Sequence, residues 1–304
     1  MTTKIFGTPT PQHPGVNHID AKYVNLTFTN GSTTVSSNGH PVVFPDLSLQ
    51  TSPTVTGGVL SIPSGTGGNR STRIFANSII DEMMRLDTLP SAPKYKCKFF
   101  ATRIKRYMLT TALATNERIF QYGDQGSDAS NPDGGWVARI NLNSSGVMNA
   151  KAMVMAIHVA YTNITKPGVQ GDEDYADPIV STPTYSDAAW EAGMDFLFAV
   201  DCTVAGQISA SIYVDGILID TDTVALTSWN IPSKSVNGPG NNATSNGLVL
   251  FNQSINQVAT PTAAHLCHAD VWPIWIGEAR NQAHLLELAQ SLHSNPLGNP
   301  YAKA

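Results

Sequence analysis

Residues 208–224 constrain the fold more than any other stretch of this chain. Ile208, Ala210, Ile212 and Val214 alternate with Ser209, Ser211 and Tyr213. A period of two puts the first set on one face of a β-strand and the second on the other. Asp215-Gly216 follows. A two-residue hairpin turn needs positive φ at both central positions, and Asp-Gly is among the pairs that supply it most readily. Ile217 to Val224 then returns as the partner strand. A half-buried hairpin of this kind must pack against other strands, so the pattern predicts a sheet protein.

The same signal recurs along the chain. Tyr23, Asn25, Thr27 and Thr29 alternate with Val24, Leu26 and Phe28, and Asn30-Gly31 closes that strand. Long alternating strands are expected over Tyr95–Tyr107, Arg118–Asp124 and Trp136–Leu142. Met153–Ala160 is more continuously apolar, as in a strand covered on both faces. Asp195–Thr203, Leu248–Phe251 and Ala269–Ile276 complete the set. Residues 73–86 fit a helical stripe (Phe75, Ile79, Met83, Leu86) as well as they fit short strands. One helix stands out near the C-terminus, where Leu285, Leu288, Ala289 and Leu292 recur at helical spacing. Asn281 is placed to cap its start, and Asn295-Pro296 ends it. The expected organisation is an arm over residues 1–20, one β-domain over 21–296 and a tail over 297–304.

Only 13 % of the 304 residues are charged, against about 25 % in ordinary globular chains. The net charge is -5. The most basic stretch runs from Lys94 to Arg106, and Lys94, Lys96 and Lys98 alternate there with Tyr95, Cys97 and Phe99. This reads as one solvated strand face, too narrow for a nucleic-acid groove. No run of 18 apolar residues offers a membrane span. Residues 1–16 show no apolar leader, so synthesis in a cytoplasm without a signal peptide is expected. Cys97, Cys202 and Cys267 are odd in number and widely spaced, which implies reduced thiols and no disulfide framework.

Three segments resemble the concanavalin-A-like (laminin-G-like) lectin and glucanase sandwich. They are Ile119–Gly146 with its Gly134-Gly135-Trp136, the hairpin Ile212-Tyr213-Val214-Asp215-Gly216, and Trp275-Ile276-Gly277-Glu278-Ala279-Arg280 leading into the helix. The resemblance implies a jelly-roll β-sandwich closed by a helix packed on one sheet. Leu288-Ala289-Gln290-Ser291-Leu292 followed by Asn295-Pro296 is similar to the end of such modules in tailed-bacteriophage structural proteins, although Leu297-Gly298 replaces an aromatic often found there. This narrower likeness implies a non-enzymatic virion protein, a capsid-decorating, head-fibre or tail-associated subunit. Its partners would be other virion subunits and copies of itself, with host-surface glycan as a further ligand. A stand-alone carbohydrate-binding lectin is the alternative the wider resemblance implies, and a glycan hydrolase the weaker one.

The residues offer little catalytic chemistry. Retaining glucanases hold two carboxylates about 5–5.5 Å apart, usually two positions apart on a strand. The nearest stretch here is Glu191-Ala192-Gly193-Met194-Asp195, where the spacing is four and a glycine intervenes. His265, Cys267, His268 and Asp270 include metal-ligand types, but on a strand they face opposite ways, so they are read as ordinary strand residues. Gly57–Gly68 lacks a phosphate-loop frame. Glycan binding needs an aromatic platform beside hydrogen-bonding groups, and Tyr122 and Trp136 flank a loop carrying Asp124, Asp128 and Asp133. Those five residues are the candidate glycan site. No cofactor is expected; Ca²⁺ held by oxygen ligands of this loop, or of Asp172, Glu173 and Asp174, is the one alternative left open.

Overall fold

The computed structural model describes residues 23–28, 35–37, 54–62, 72–75, 84, 97–106, 116–122, 135–141, 151–158, 178–204, 207–225, 247–251 and 267–294. In chain order the strands are β1 (Tyr23–Phe28), β2 (Val35–Ser37), β3 (Thr54–Thr56), β4 (Val59–Ser61), β5 (Thr72–Phe75), β6 (Cys97–Arg106), β7 (Asn116–Tyr122), β8 (Gly135–Asn141), β9 (Ala152–His158) and β10 (Ile179–Ser181). Helix α1 (Asp187–Ala192) follows. The remaining elements are β11 (Met194–Asp201), β12 (Gln207–Val214), β13 (Ile217–Ala225), β14 (Gly247–Leu250), β15 (Ala269–Val271), β16 (Ile274–Ala279) and α2 (Gln282–Ser294).

All described pairings are antiparallel, and they form two sheets. In the larger, β13, β12, β11 and β6 lie side by side. The ten residues of β6 are long enough to pair with two successive strands on their other edge. Its first half pairs with β16, and its last residues pair with β15. Trp272-Pro273 separates β15 from β16, because proline cannot donate to the ladder. The Thr102 hydroxyl donates to the Trp272 carbonyl at 2.9 Å and so satisfies the break. The smaller sheet runs β10-β9-β8-β7-β14-β5.

Aromatic rings fill the space between the sheets. Phe100 of β6 stacks on Phe120 of β7 with centroids 4.2 Å apart, and Phe120 meets Trp136 edge-on at 5.0 Å and Phe198 at 5.6 Å. This is the all-β sandwich expected from the alternation, with the C-terminal helix in place. Helix α1 is the addition. Ser186 caps it by accepting from the Ala189 amide, and Gly193 ends it at φ 85°. Its Trp190 stacks on Phe196 at 5.6 Å, and the indole N–H donates to the Lys151 carbonyl, so α1 plugs one end of the core.

The reading of Lys98 as part of a solvated face is wrong. Lys98 is 4 % exposed and its ammonium donates to Glu278, which stands directly opposite it in β16. Lys98 shares its face with Phe100, so the pair lies inside the sandwich. Lys94 and Lys96 lie outside the described residues. A second buried pair crosses between the sheets, where Arg106 donates to both oxygens of Glu117 at 2.8 and 2.7 Å.

Candidate functional site

The opposite face of the large sheet carries α2. Asn281 accepts from the His284 amide at 2.9 Å and starts the helix, as its position in the sequence suggests. Leu285, Leu288, Ala289 and Leu292 are buried against the sheet. The hairpin turn brings the helix end close. Asp215 and Gly216 adopt φ 49° and 78°, the positive pair that the Asp-Gly sequence predicts. A Cβ on Gly216 would lie 3.2 Å from the Gln290 Cα and 3.5 Å from the His293 Cβ. The missing side chain therefore lets the last turns of α2 settle onto the hairpin.

This approach assembles a cluster from four elements. Asp195, near the start of β11, stands opposite Arg103 of β6 in the ladder. Its Oδ2 accepts from Arg103 Nη1 at 3.1 Å and lies 3.0 Å from His293 Nδ1, in the last turn of α2. Asp215 Oδ1 lies 3.6 Å from the same nitrogen and accepts from the Asp195 amide at 2.9 Å. The Asp215 amide returns a bond to the Asp195 carbonyl, also at 2.9 Å, so the turn is locked to β11. Arg103 also donates to the Gly193 carbonyl at 3.2 Å and lies over the Trp272 ring at 5.6 Å.

The side chain of Asp195 is 1 % exposed, against 40 % for Asp215 and 51 % for His293. Burial pushes the Asp195 carboxyl above the ordinary carboxylate range. The His293 hydrogen bond and the Arg103 charge offset this in part, and the Asp215 charge adds to it. Asp195 Oδ1 is buried with no hydrogen-bond partner. The phenol of Tyr185 is likewise pushed up, first by burial and then by the charge of Asp215. The four groups form a charged clamp at the helix end whose innermost member is closed to a bulky substrate. Its ligand-type atoms, from Asp195, Asp215 and His293, all lie within 4.8 Å of one another.

The candidate glycan platform fares differently. Trp136 is fully buried and its indole N–H donates to the Met84 carbonyl at 2.9 Å; Tyr122 is 3 % exposed. Neither ring offers a face to a sugar, because both point into the core beside Phe120, so as platform residues they are corrected. Asp124, Asp128 and Asp133 lie outside the described residues, as do Asp172, Glu173, Asp174 and His265. Cys267 and His268 are buried, and Asp270 accepts from Ser61 at 2.6 Å. Glu191 is exposed on α1. Asp195 therefore finds its carboxylate neighbour in Asp215, twenty positions on, and not in Glu191. The available signal is an aspartate at the mouth of a strand whose next five residues, Phe196 to Val200, are all apolar.

No protein-family model matches the chain, and no curated protein does. In structure it is similar to the botulinum neurotoxin serotype D/C VPI 5993 binding domain, with a TM-score of 0.43 at 12 % identity over 88 % of this chain and 52 % of that one. It is similar to alginate lyase Aly36B at 0.45 and 11 %, over 85 % of this chain and 97 % of that one. It is also similar to SO2946 from Shewanella oneidensis MR-1, a protein of unknown function, at 0.39 and 13 %, over 85 % and 86 %. The chain thus spans about half of the neurotoxin domain. Likenesses this low carry no argument about ligand or activity, and the sandwich stands on its own strand pairing.

Proposed function

We propose that this chain is a non-enzymatic binding module, working as a structural subunit of a tailed-phage particle and docking on other virion proteins. One observation carries the non-enzymatic part. The buried carboxylates among the described residues are each held by a cation: Glu117 by Arg106, Glu278 by Lys98, and Asp195 by Arg103. Side chains engaged in this way tie strands together and are shielded from a substrate, whereas a general acid or base must reach the proton it transfers. The virion part rests on the C-terminal likeness to phage modules. Exposed apolar side chains at the hairpin, Ile217 at 63 % and Leu218 at 43 %, are of the kind that protein contacts cover.

The test is co-purification. The chain is expected in gradient-purified particles at a fixed copy number, and its absence from particles would overturn the virion reading. No turnover of polysaccharides is expected from the isolated protein; measurable cleavage lost on Asp195→Asn would overturn the non-enzymatic reading. Host-surface glycan is the further ligand class, read on a glycan array with and without chelator.

A further inference from the structure

We propose that Asp195, Asp215 and His293 form a site for a divalent cation of the zinc class, bridging the end of α2 to the β12–β13 hairpin. The ligand set is one imidazole nitrogen and two carboxylates, a combination that suits Zn²⁺ better than the oxygen-seeking Ca²⁺ or Mg²⁺. The spacing fits. Ligands about 2.0–2.2 Å from a tetrahedral zinc are separated by about 3.3–3.6 Å. His293 Nδ1 lies 3.0 Å from Asp195 Oδ2 and 3.6 Å from Asp215 Oδ1, and one ligand atom from each of the three residues falls within 4.8 Å of the others.

The second oxygen of the Asp195 carboxylate also points to a ligand. Asp195 Oδ1 is buried and has no hydrogen-bond partner. A buried oxygen in this condition calls for a water or an ion, and the other oxygen of the same carboxylate already faces His293. Charge agrees, because two carboxylates against the single guanidinium of Arg103 leave the clamp net negative. The C-terminal end of the thirteen-residue helix α2 adds a partial negative charge beside His293. Arg103 keeps its bonds to the Gly193 carbonyl and to Asp195 and acts as the outer partner that orients the ligating carboxylate. The fourth position falls to water. The ion would fix the packing of α2 on the hairpin and perform no reaction.

Zinc chloride is titrated calorimetrically into the full chain after dialysis against chelator, and Co²⁺ serves as a spectroscopic probe. One ion per chain is expected, with a rise in Tm and a visible Co²⁺ band. His293→Ala and Asp215→Asn should each weaken binding by about tenfold or more and abolish the Tm rise. Both change half-exposed side chains, and asparagine tolerates the positive φ at 215. Circular dichroism and metal-free unfolding midpoints establish that the variants are folded. If His293→Ala fails to fold, His293→Gln gives the same readout. The proposal is overturned if no zinc binds, if both variants bind as the parent does, which would place the ion on other histidines, or if Ca²⁺ or Mg²⁺ binds as tightly as Zn²⁺.

Discussion

Replacing Glu117 with glutamine tests how the two sheets are held together. Glu117 lies at the start of β7 in the smaller sheet and Arg106 ends the longest strand of the larger, so their two hydrogen bonds of 2.7 and 2.8 Å cross the sandwich. The side chains are 1 % and 5 % exposed. Burial by itself lowers the Arg106 pKa, but the hydrogen bonds and charge of Glu117 more than reverse that and leave it raised. Removing the negative charge leaves a guanidinium out of water with half its compensation, a change that costs about 3–5 kcal/mol. Two hydrogen bonds to a charged group, at about 1.5–3 kcal/mol each, lead to the same range. Removing both charges is a different perturbation. Arg106→Met with Glu117→Leu removes both ions of this pair together, and its stability should match the parent within about 1 kcal/mol or exceed it. Urea unfolding at constant m measures both. The Glu117→Gln loss should also be the same at low and high salt, because screening acts weakly on a pair inside the protein. A loss under about 1 kcal/mol, or one that shrinks as salt is added, would mean that the pair is solvated and that the argument fails.

Three further outcomes are expected. Gly216→Val should destabilise by about 1–3 kcal/mol, since a β-branched residue is strained at φ 78° and its Cβ would press on the Gln290 backbone at 3.2 Å; an unchanged Tm would count against the close approach of α2. Leu288→Ala removes a fully buried side chain from beneath α2 and should cost about 2–5 kcal/mol; a loss indistinguishable from zero would make the helix peripheral. Tyr213 is pushed up to about 12, first by burial and then by Cys97 and Asp201. Its folded pKa lies above its unfolded one near 10. Its contribution is therefore whole below pH about 10 and is lost as pH climbs through about 12. Tyr213→Phe should flatten the fall in stability across that alkaline window, and a variant that tracks the parent there would contradict the buried phenol.

The sequence by itself determined what local periodicity encodes. Ile208, Ala210, Ile212 and Val214 are buried on one face of β12, and Asp215-Gly216 turns the chain with the two positive φ values it was read to need. Asn281 caps α2, and the leucines at helical spacing face the sheet. Each of these choices is settled by residues a few positions apart, through side-chain alternation, turn strain or an orphan amide. The tertiary structure decided which alternating face meets water. Lys98 looked solvated because alternation distinguishes two faces without saying what covers either; Glu278, 180 positions away, takes it into the core. Trp136 and Tyr122 flank a polar loop in sequence, yet their rings turn inward because Phe120 and the opposing sheet offer apolar surface there. The clamp of Asp195, Asp215, His293 and Arg103 spans 190 positions, and no spacing rule links its members. They meet because β6, β11, the hairpin turn and the end of α2 converge at one corner of the sheet, where a glycine leaves room for the helix.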